Sequence, residues 1–157
     1  YMGNLEALRD WGHAKDYVEM QWLMLQQDSP KDFVIASGVQ SSVREFIILA
    51  ASYLGIELGF RGEGLKEEAY VKKVKGKDAS ALKEGDVIIK VDPRYFRPAE
   101  VDSLLGDSSL AKKELGWEAK TTLEELCNEM IIEDLKVAKR NAFLKKHGHE
   151  VIVSLEG

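Results

Sequence analysis

The chain has 157 residues, a formal net charge of −5, and 45% hydrophobic and 31% charged residues. That length suits one domain with a real core, and no apolar run approaches the roughly 20 residues of a membrane-spanning helix. The acidic balance gives no electrostatic reason to expect nucleic acid or an anionic membrane as partner, the lone Cys127 excludes an internal disulfide, and with no signal peptide in view the expected compartment is cytoplasmic.

The chain opens at Tyr1-Met2-Gly3 and enters patterned sequence at once, which reads as a piece of a longer protein. Met2-Gly3-Asn4 is expected to end a strand and turn, and Leu8-Arg9-Asp10-Trp11 to be a second strand or a loop. Ala14, Tyr17, Val18, Trp22 and Leu25 recur at helical spacing, which predicts a helix to about Gln27 with that stripe buried. Pro30 stops it. Phe33-Val34-Ile35-Ala36 is short, apolar and β-branched, so a buried strand is expected there.

Ser42-Val43-Arg44-Glu45 fits a capping box. The helix it opens should bury Val43, Phe46, Ile47, Ala50 and Leu54 and end at Gly55 in a left-handed cap. Ile56-Glu57-Leu58 is a short strand. Helix, strand, helix, strand in succession point to an α/β class. The glycines at 59, 62 and 64 superficially resemble a dinucleotide fingerprint with its spacings reversed. Glu63, Glu67 and Glu68 stand where a pyrophosphate would carry its charge, so 59–64 reads as a turn.

Strands follow at Tyr70 to Val74 and, most clearly, at Val87-Ile88-Ile89-Lys90-Val91, with Gly76 and Gly85 as turn residues between them. Gly106-Asp107-Ser108-Ser109 should start a short helix with Leu110, Ala111 and Leu115 inward and Gly116 ending it. Thr122-Leu123-Glu124-Glu125 is a second capping box. It opens a long helix with Leu123, Leu126, Cys127, Met130 and Leu135 toward the core. Its first turn is acidic and its end carries Lys139, Arg140, Lys145 and Lys146, as the helix dipole favours. The residues after His147-Gly148-His149 should be a loosely held tail.

The last strand feeds Asp92-Pro93-Arg94-Tyr95-Phe96-Arg97-Pro98-Ala99-Glu100, in which two prolines stiffen a loop carrying two arginines and two aromatics. Guanidinium groups grip phosphate oxygens as planar forks. Arg9, with Arg94 and Arg97 from a distant stretch, could therefore clamp a diphosphate. Glu100 could accept hydrogen bonds from ribose hydroxyls, and Trp11, Tyr95 or Phe96 could wall a base, although ordinary core packing is the expected role of Trp11. No metal is expected: His147 and His149 fall in the tail, and His13 has no second imidazole nearby. Cys127, on an apolar helical face, reads as a packing residue.

Leu8 to Val18, 32–38, Val43-Arg44-Glu45-Phe46, 92–101, and Leu105-Gly106-Asp107 through Leu115-Gly116-Trp117 closely resemble the GDP-mannose 4,6-dehydratases, within the extended short-chain dehydrogenase/reductases. The resemblance implies a parent with an N-terminal Rossmann domain for NADP and a smaller C-terminal α/β domain for the sugar nucleotide. Residues 1–157 would be that substrate-binding domain, made of helices with short strands, the Rossmann domain absent. The parent would convert GDP-mannose to GDP-4-keto-6-deoxymannose on the way to GDP-fucose, and would be a homo-oligomer. Arg9 and Arg97 match the family's diphosphate-binding arginines and Glu100 an acidic position beside the ribose; Arg94 and Arg44 are secondary candidates. No tyrosine satisfies the family's Tyr-x-x-x-Lys: Tyr1, Tyr17, Tyr53, Tyr70 and Tyr95 are followed at the fourth position by Leu5, Gln21, Glu57, Val74 and Ala99. The chain alone is therefore expected to be inactive and to hold no catalytic residue. Two alternatives stay open: a portion of another nucleotide-sugar epimerase or reductase, and a non-catalytic nucleotide-binding module.

Overall fold

The structure, a computed structural model, describes residues 1–79, 81–96 and 103–151. Along it run β1 (Leu8–Asp10), α1 (Ala14–Leu25), β2 (Gln40–Ser42), α2 (Val43–Tyr53), β3 (Ile56–Arg61), β4 (Glu68–Val74), β5 (Val87–Lys90), α3 (Ser109–Leu115) and α4 (Leu123–Lys146). The strands make two small antiparallel sheets, β1-β2 and β3-β4-β5. This is a small α/β fold with short strands, as the element order implies. No helix among the described residues is long and apolar enough to cross a membrane.

Both capping boxes form. The Ser42 hydroxyl accepts the Glu45 amide at 3.1 Å while the Glu45 carboxylate accepts the Ser42 amide at 2.7 Å. Thr122 and Glu125 repeat the exchange at the start of α4. Each box satisfies two of the amides a helix start leaves orphaned. Gly55 and Gly116 leave α2 and α3 at φ +71° and +68°, a backbone that side-chain-bearing residues rarely adopt.

Three apolar clusters anchor these elements. Ala51, Ile56, Val71 and Ala79 join α2 to the three-stranded sheet. Leu5, Ile47 and Val91 join α2 to the chain beyond β5. Met20, Ala111 and Trp117 hold α1 against α3. Trp117 also donates its indole N–H to the Asp16 carbonyl at 3.0 Å.

Several expectations are corrected. The buried face of α1 centres on Asp16 and Met20, whereas Val18, Trp22 and Leu25 are 59–81% exposed. Two residues of offset turn a helix by about 200°, so Val18 and Trp22 look outward, whereas Tyr17 of the expected stripe does pack on the Met20 cluster. The buried face pairs the Asp16 carboxylate, which accepts backbone amides, with Met20, Tyr17, Leu23 and Met24 packed against Ala111 and Trp117. No strand forms at 33–36, because no other strand runs beside it among the described residues. Phe33 and Ile35 pack against the Met20 cluster while Val34 remains 51% exposed. The polar β2 is a strand that the residue pattern does not announce. Gly59, Phe60 and Arg61 extend β3 rather than turning. Leu110 and Met130 lie at the surface.

Candidate functional site

The site is assembled around β1. Its register places Arg9 opposite Ser41 and Asp10 opposite Gln40. Arg9 is half-buried and donates Nη1–H to the Leu8 carbonyl at 2.8 Å. Trp11 follows on the same side by strand alternation. Its ring stacks on Phe46 with centroids 4.8 Å apart, and its indole N–H donates to the Ser41 carbonyl at 3.3 Å. The indole is thus packed as the sequence suggests, and it also walls a cleft of about 340 Å³. The cleft is lined further by Ser37, Val39, Ser41 and the start of α4 from Ala119 to Glu124. Apolar walls with a few hydroxyls and amides suit the body of a planar or sugar-like ligand better than its charge.

Asp10 organises the rim, a role the sequence reading missed. One carboxylate oxygen accepts the Ser37 amide at 2.8 Å and the Ser37 hydroxyl at 2.6 Å; the other accepts the amides of Gly38 at 2.9 Å and Gly106 at 3.4 Å. Two separate stretches, 37–38 and 106, therefore converge on one side chain at the end of β1. Gly106 approaches so closely that a Cβ there would lie 2.1 Å from the Ala36 methyl. The available signal was an Asp between an Arg and a Trp at a strand end, which does not reveal its partners.

The proline-bracketed loop begins as a tight turn. The Asp92 carboxylate accepts the Arg94 amide at 2.9 Å, and the Asp92 carbonyl accepts the amides of Tyr95 and Phe96 at 3.0 and 3.1 Å. The Arg94 guanidinium folds back onto the same carboxylate at 3.0 Å. Hydrogen bonds from Arg94, side chain first and then backbone, hold the Asp92 carboxyl below its usual range, and Asp92 in turn raises the Arg94 guanidinium. The turn lies against the first residues of the chain. A Cβ on Gly3 would come within 2.4 Å of the Tyr95 carbonyl oxygen, so only glycine fits there. Phe96 packs against the Leu5, Ile47 and Val91 cluster.

Arg97 and Glu100 lie outside the described residues. On the near side the chain reaches Phe96; on the far side Ser103 bridges Leu8 in parallel and exchanges hydrogen bonds with Gln40 on β2. Both described flanks of 97–102 are thus anchored, and the second is anchored one residue from Arg9. Arg44 is not brought to this site. Its guanidinium lies between Glu6 and Glu67, with Nη2 to Glu67 at 2.7 Å, and covers the Phe60 ring at 4.4 Å. Burial lowers its tendency to stay charged, but the hydrogen bonds it donates to both carboxylates, Glu67 first, outweigh that and raise it. It pins α2 to the sheet.

His13 caps α1 by accepting the Lys15 amide on Nδ1 at 3.0 Å, and its Nε2 stands 3.4 Å from Glu129. Among the described residues no group of three His, Cys, Asp or Glu is placed to hold a metal. The glycines at 59–64 offer no dinucleotide cradle. A Cβ on Gly59 would meet the Tyr70 ring at 2.4 Å, and Gly64 opens a single 3₁₀ turn to Lys66 with acidic residues on either side.

A family model described as GDP-mannose 4,6 dehydratase matches residues 1–130. The chain is 62% identical over 156 residues to a GDP-mannose 4,6-dehydratase of Vibrio cholerae, covering 99% of this chain and 42% of that relative. It is 43% identical over 140 residues to a GDP-mannose 4,6 dehydratase of Homo sapiens, covering 89% of this chain and 35% of the other. It therefore spans about 42% of the length of the first of these relatives. Among solved structures it resembles the UDP-glucose 4-epimerase of Thermotoga maritima with UDP-glucose, at a TM-score of 0.58 and 21% identity over 88% of this chain and 35% of that one. It also resembles RMD from Pseudomonas aeruginosa complexed with NADPH, at a TM-score of 0.57 and 17% identity over 87% and 35%. At those identities the two structures speak for the fold alone.

Proposed function

The chain belongs to the GDP-mannose 4,6-dehydratase family, and on that premise we propose that residues 1–157 form the substrate-binding portion of such an enzyme. In this reading the whole enzyme is a cytoplasmic, NADP-dependent lyase that converts GDP-mannose to GDP-4-keto-6-deoxymannose with loss of water. This portion alone is inactive and contributes Arg9, Arg97 and Glu100. The two arginines take the diphosphate as charged forks, each bond of this kind being worth about 1.5–3 kcal/mol. Glu100 takes the ribose hydroxyls. The cofactor belongs to the part of the enzyme outside this chain. The residues at 59–64 do not fit a dinucleotide.

The observation that carries the reading is the Leu8–Ser103 bridge. It ties the chain leaving the proline-bracketed stretch to the neighbour of Arg9, and so supports a clamp with one jaw on β1 and the other on 97–100. The cleft walled by Trp11 is lined also by Ser41, the register partner of Arg9, and supplies apolar surface beside that strand pair.

The test is calorimetry of the full-length parent with GDP-mannose. Arg97→Ala and Arg9→Ala are each expected to weaken binding by about 10- to 100-fold, and Arg9→Lys should recover only part of the loss because a point charge does not replace a fork. Wild-type affinity in Arg97→Ala would remove the clamp. Incubation of the parent with GDP-mannose should yield the 4-keto product; its absence would point to another nucleotide-sugar enzyme.

A further inference from the structure

Helix α4 is 24 residues long and divides its charge by halves. Glu124, Glu125, Glu129, Glu133 and Asp134 fill the first half with no basic residue among them, and Lys136, Lys139, Arg140, Lys145 and Lys146 fill the second with no acidic one. The helix dipole favours such signs only within the first and last turns, whereas Glu133 and Lys136 sit in the middle. The dipole therefore does not account for the pattern. The basic half also lies beyond residue 130, where the match to the family model ends.

The same helix carries an apolar stripe that the fold leaves open. Met130 and Val137 are each 45% exposed, and Leu144 continues the seven-residue spacing half-buried. The stripe is symmetric about Val137. Glu133 and Arg140 flank it on one side, four residues before and three after that centre. Among the described residues Glu133 pairs with Lys136 alone, an exposed neighbour one turn away, and Arg140 forms no ion pair.

We propose that this face of α4 binds the same face of a second copy of the chain, antiparallel, about a two-fold axis at Val137. In that register Met130 of one copy meets Leu144 of the other, Val137 meets Val137, and each Glu133 reaches the other copy's Arg140. The acidic half of each helix then lies along the basic half of its partner, which is the self-complementarity a two-fold interface demands. A parallel arrangement would set like charges together along the whole length. One helix on one helix is a small interface, so the product is a reversible dimer whose strength falls as salt rises. The proposal is independent of the nucleotide-sugar reading.

The test is directed cross-linking. Cys127 is buried, so Val137→Cys adds one accessible thiol at the axis and should give a disulfide-linked dimer under mild oxidation. Phe143→Cys is the control: it is more exposed, at 62%, but turned about 120° away from the stripe. It should cross-link much more slowly. In sedimentation equilibrium, Arg140→Glu should weaken the dimer about 10-fold and Arg140→Glu with Glu133→Arg should restore it, as reversed and re-matched exposed pairs do. These substitutions sit on solvent-facing helix surface, and circular dichroism checks that each variant keeps its helix content. The same cross-link is run in the full-length parent. Equal rates for the two cysteine variants, or a wild-type chain that sediments as a monomer at low salt, would overturn the proposal.

Discussion

The Asp16 carboxylate accepts the backbone amide of Thr121 at 2.8 Å across 105 residues of sequence, and that of Lys120 at 3.0 Å through the same oxygen. The pair ties α1 to the segment that enters α4. Burial pushes the Asp16 carboxyl upward, but hydrogen bonds from Thr121 and Lys120, helped by His13, hold it below its usual value. The folded pKa is therefore depressed. The stability it contributes is present above the ordinary carboxylate pKa of about 3.9 and is lost as pH falls through the lowered folded value. Denaturant midpoints measured down the acid limb should show this fall, and Asp16→Ala should flatten it. At neutral pH the same variant should cost about 1–3 kcal/mol, because two part-buried amides lose their acceptor.

Arg44 braces the sheet, its guanidinium taken up by Glu6 and Glu67. Arg44→Met keeps much of the stem that packs over Phe60 but leaves Glu67 without its cation. Thermal unfolding of the chain should show a loss of about 1–3 kcal/mol, below the full cost of breaking a buried pair because Arg44 is partly exposed. Nucleotide binding by the folded variant should match wild type. A selective loss of binding with stability intact would move Arg44 into the site.

Cys127 is fully buried, and burial alone pushes its thiol pKa up. Thiolate is the reactive form, so a thiol reagent such as Ellman's should label the native chain slowly and the denatured chain at once. Rapid native labelling would mean that α4 opens locally, since the helix carries the sulfur on its buried face.

What the sequence made legible was local. The reciprocal Ser42–Glu45 and Thr122–Glu125 boxes and the left-handed Gly55 and Gly116 each depend on residues within one turn, and each is found where the spacing places it. What stayed hidden depends on distant partners. The rotation of α1 answers to the amides at 120 and 121 and to the Ala111–Trp117 cluster that receives Met20, so Val18, Trp22 and Leu25 read as buried and are not. The Gln40–Ser42 strand has no strand-like composition and exists because β1 lies beside it. In the site, the arginine of β1 could be named from its neighbours, but the clasp that Asp10 makes around Ser37, Gly38 and Gly106 could not, since nothing near Asp10 in the sequence refers to residue 106.

Residues 33–36 have a practical consequence. A run of Phe, Val, Ile and Ala with strand chemistry and no strand beside it among the described residues offers its backbone to any extended segment that arrives, including its own counterpart on another molecule. Pro30, Lys31 and Asp32 stand immediately upstream, the kind of guard that limits such pairing, and Lys31 is held in place by Glu114 of α3. Concentrated solutions of the isolated chain should therefore be prone to precipitate through this stretch, sooner if Lys31 or Glu114 is neutralised, and a lysine in place of Val34 should extend their shelf life.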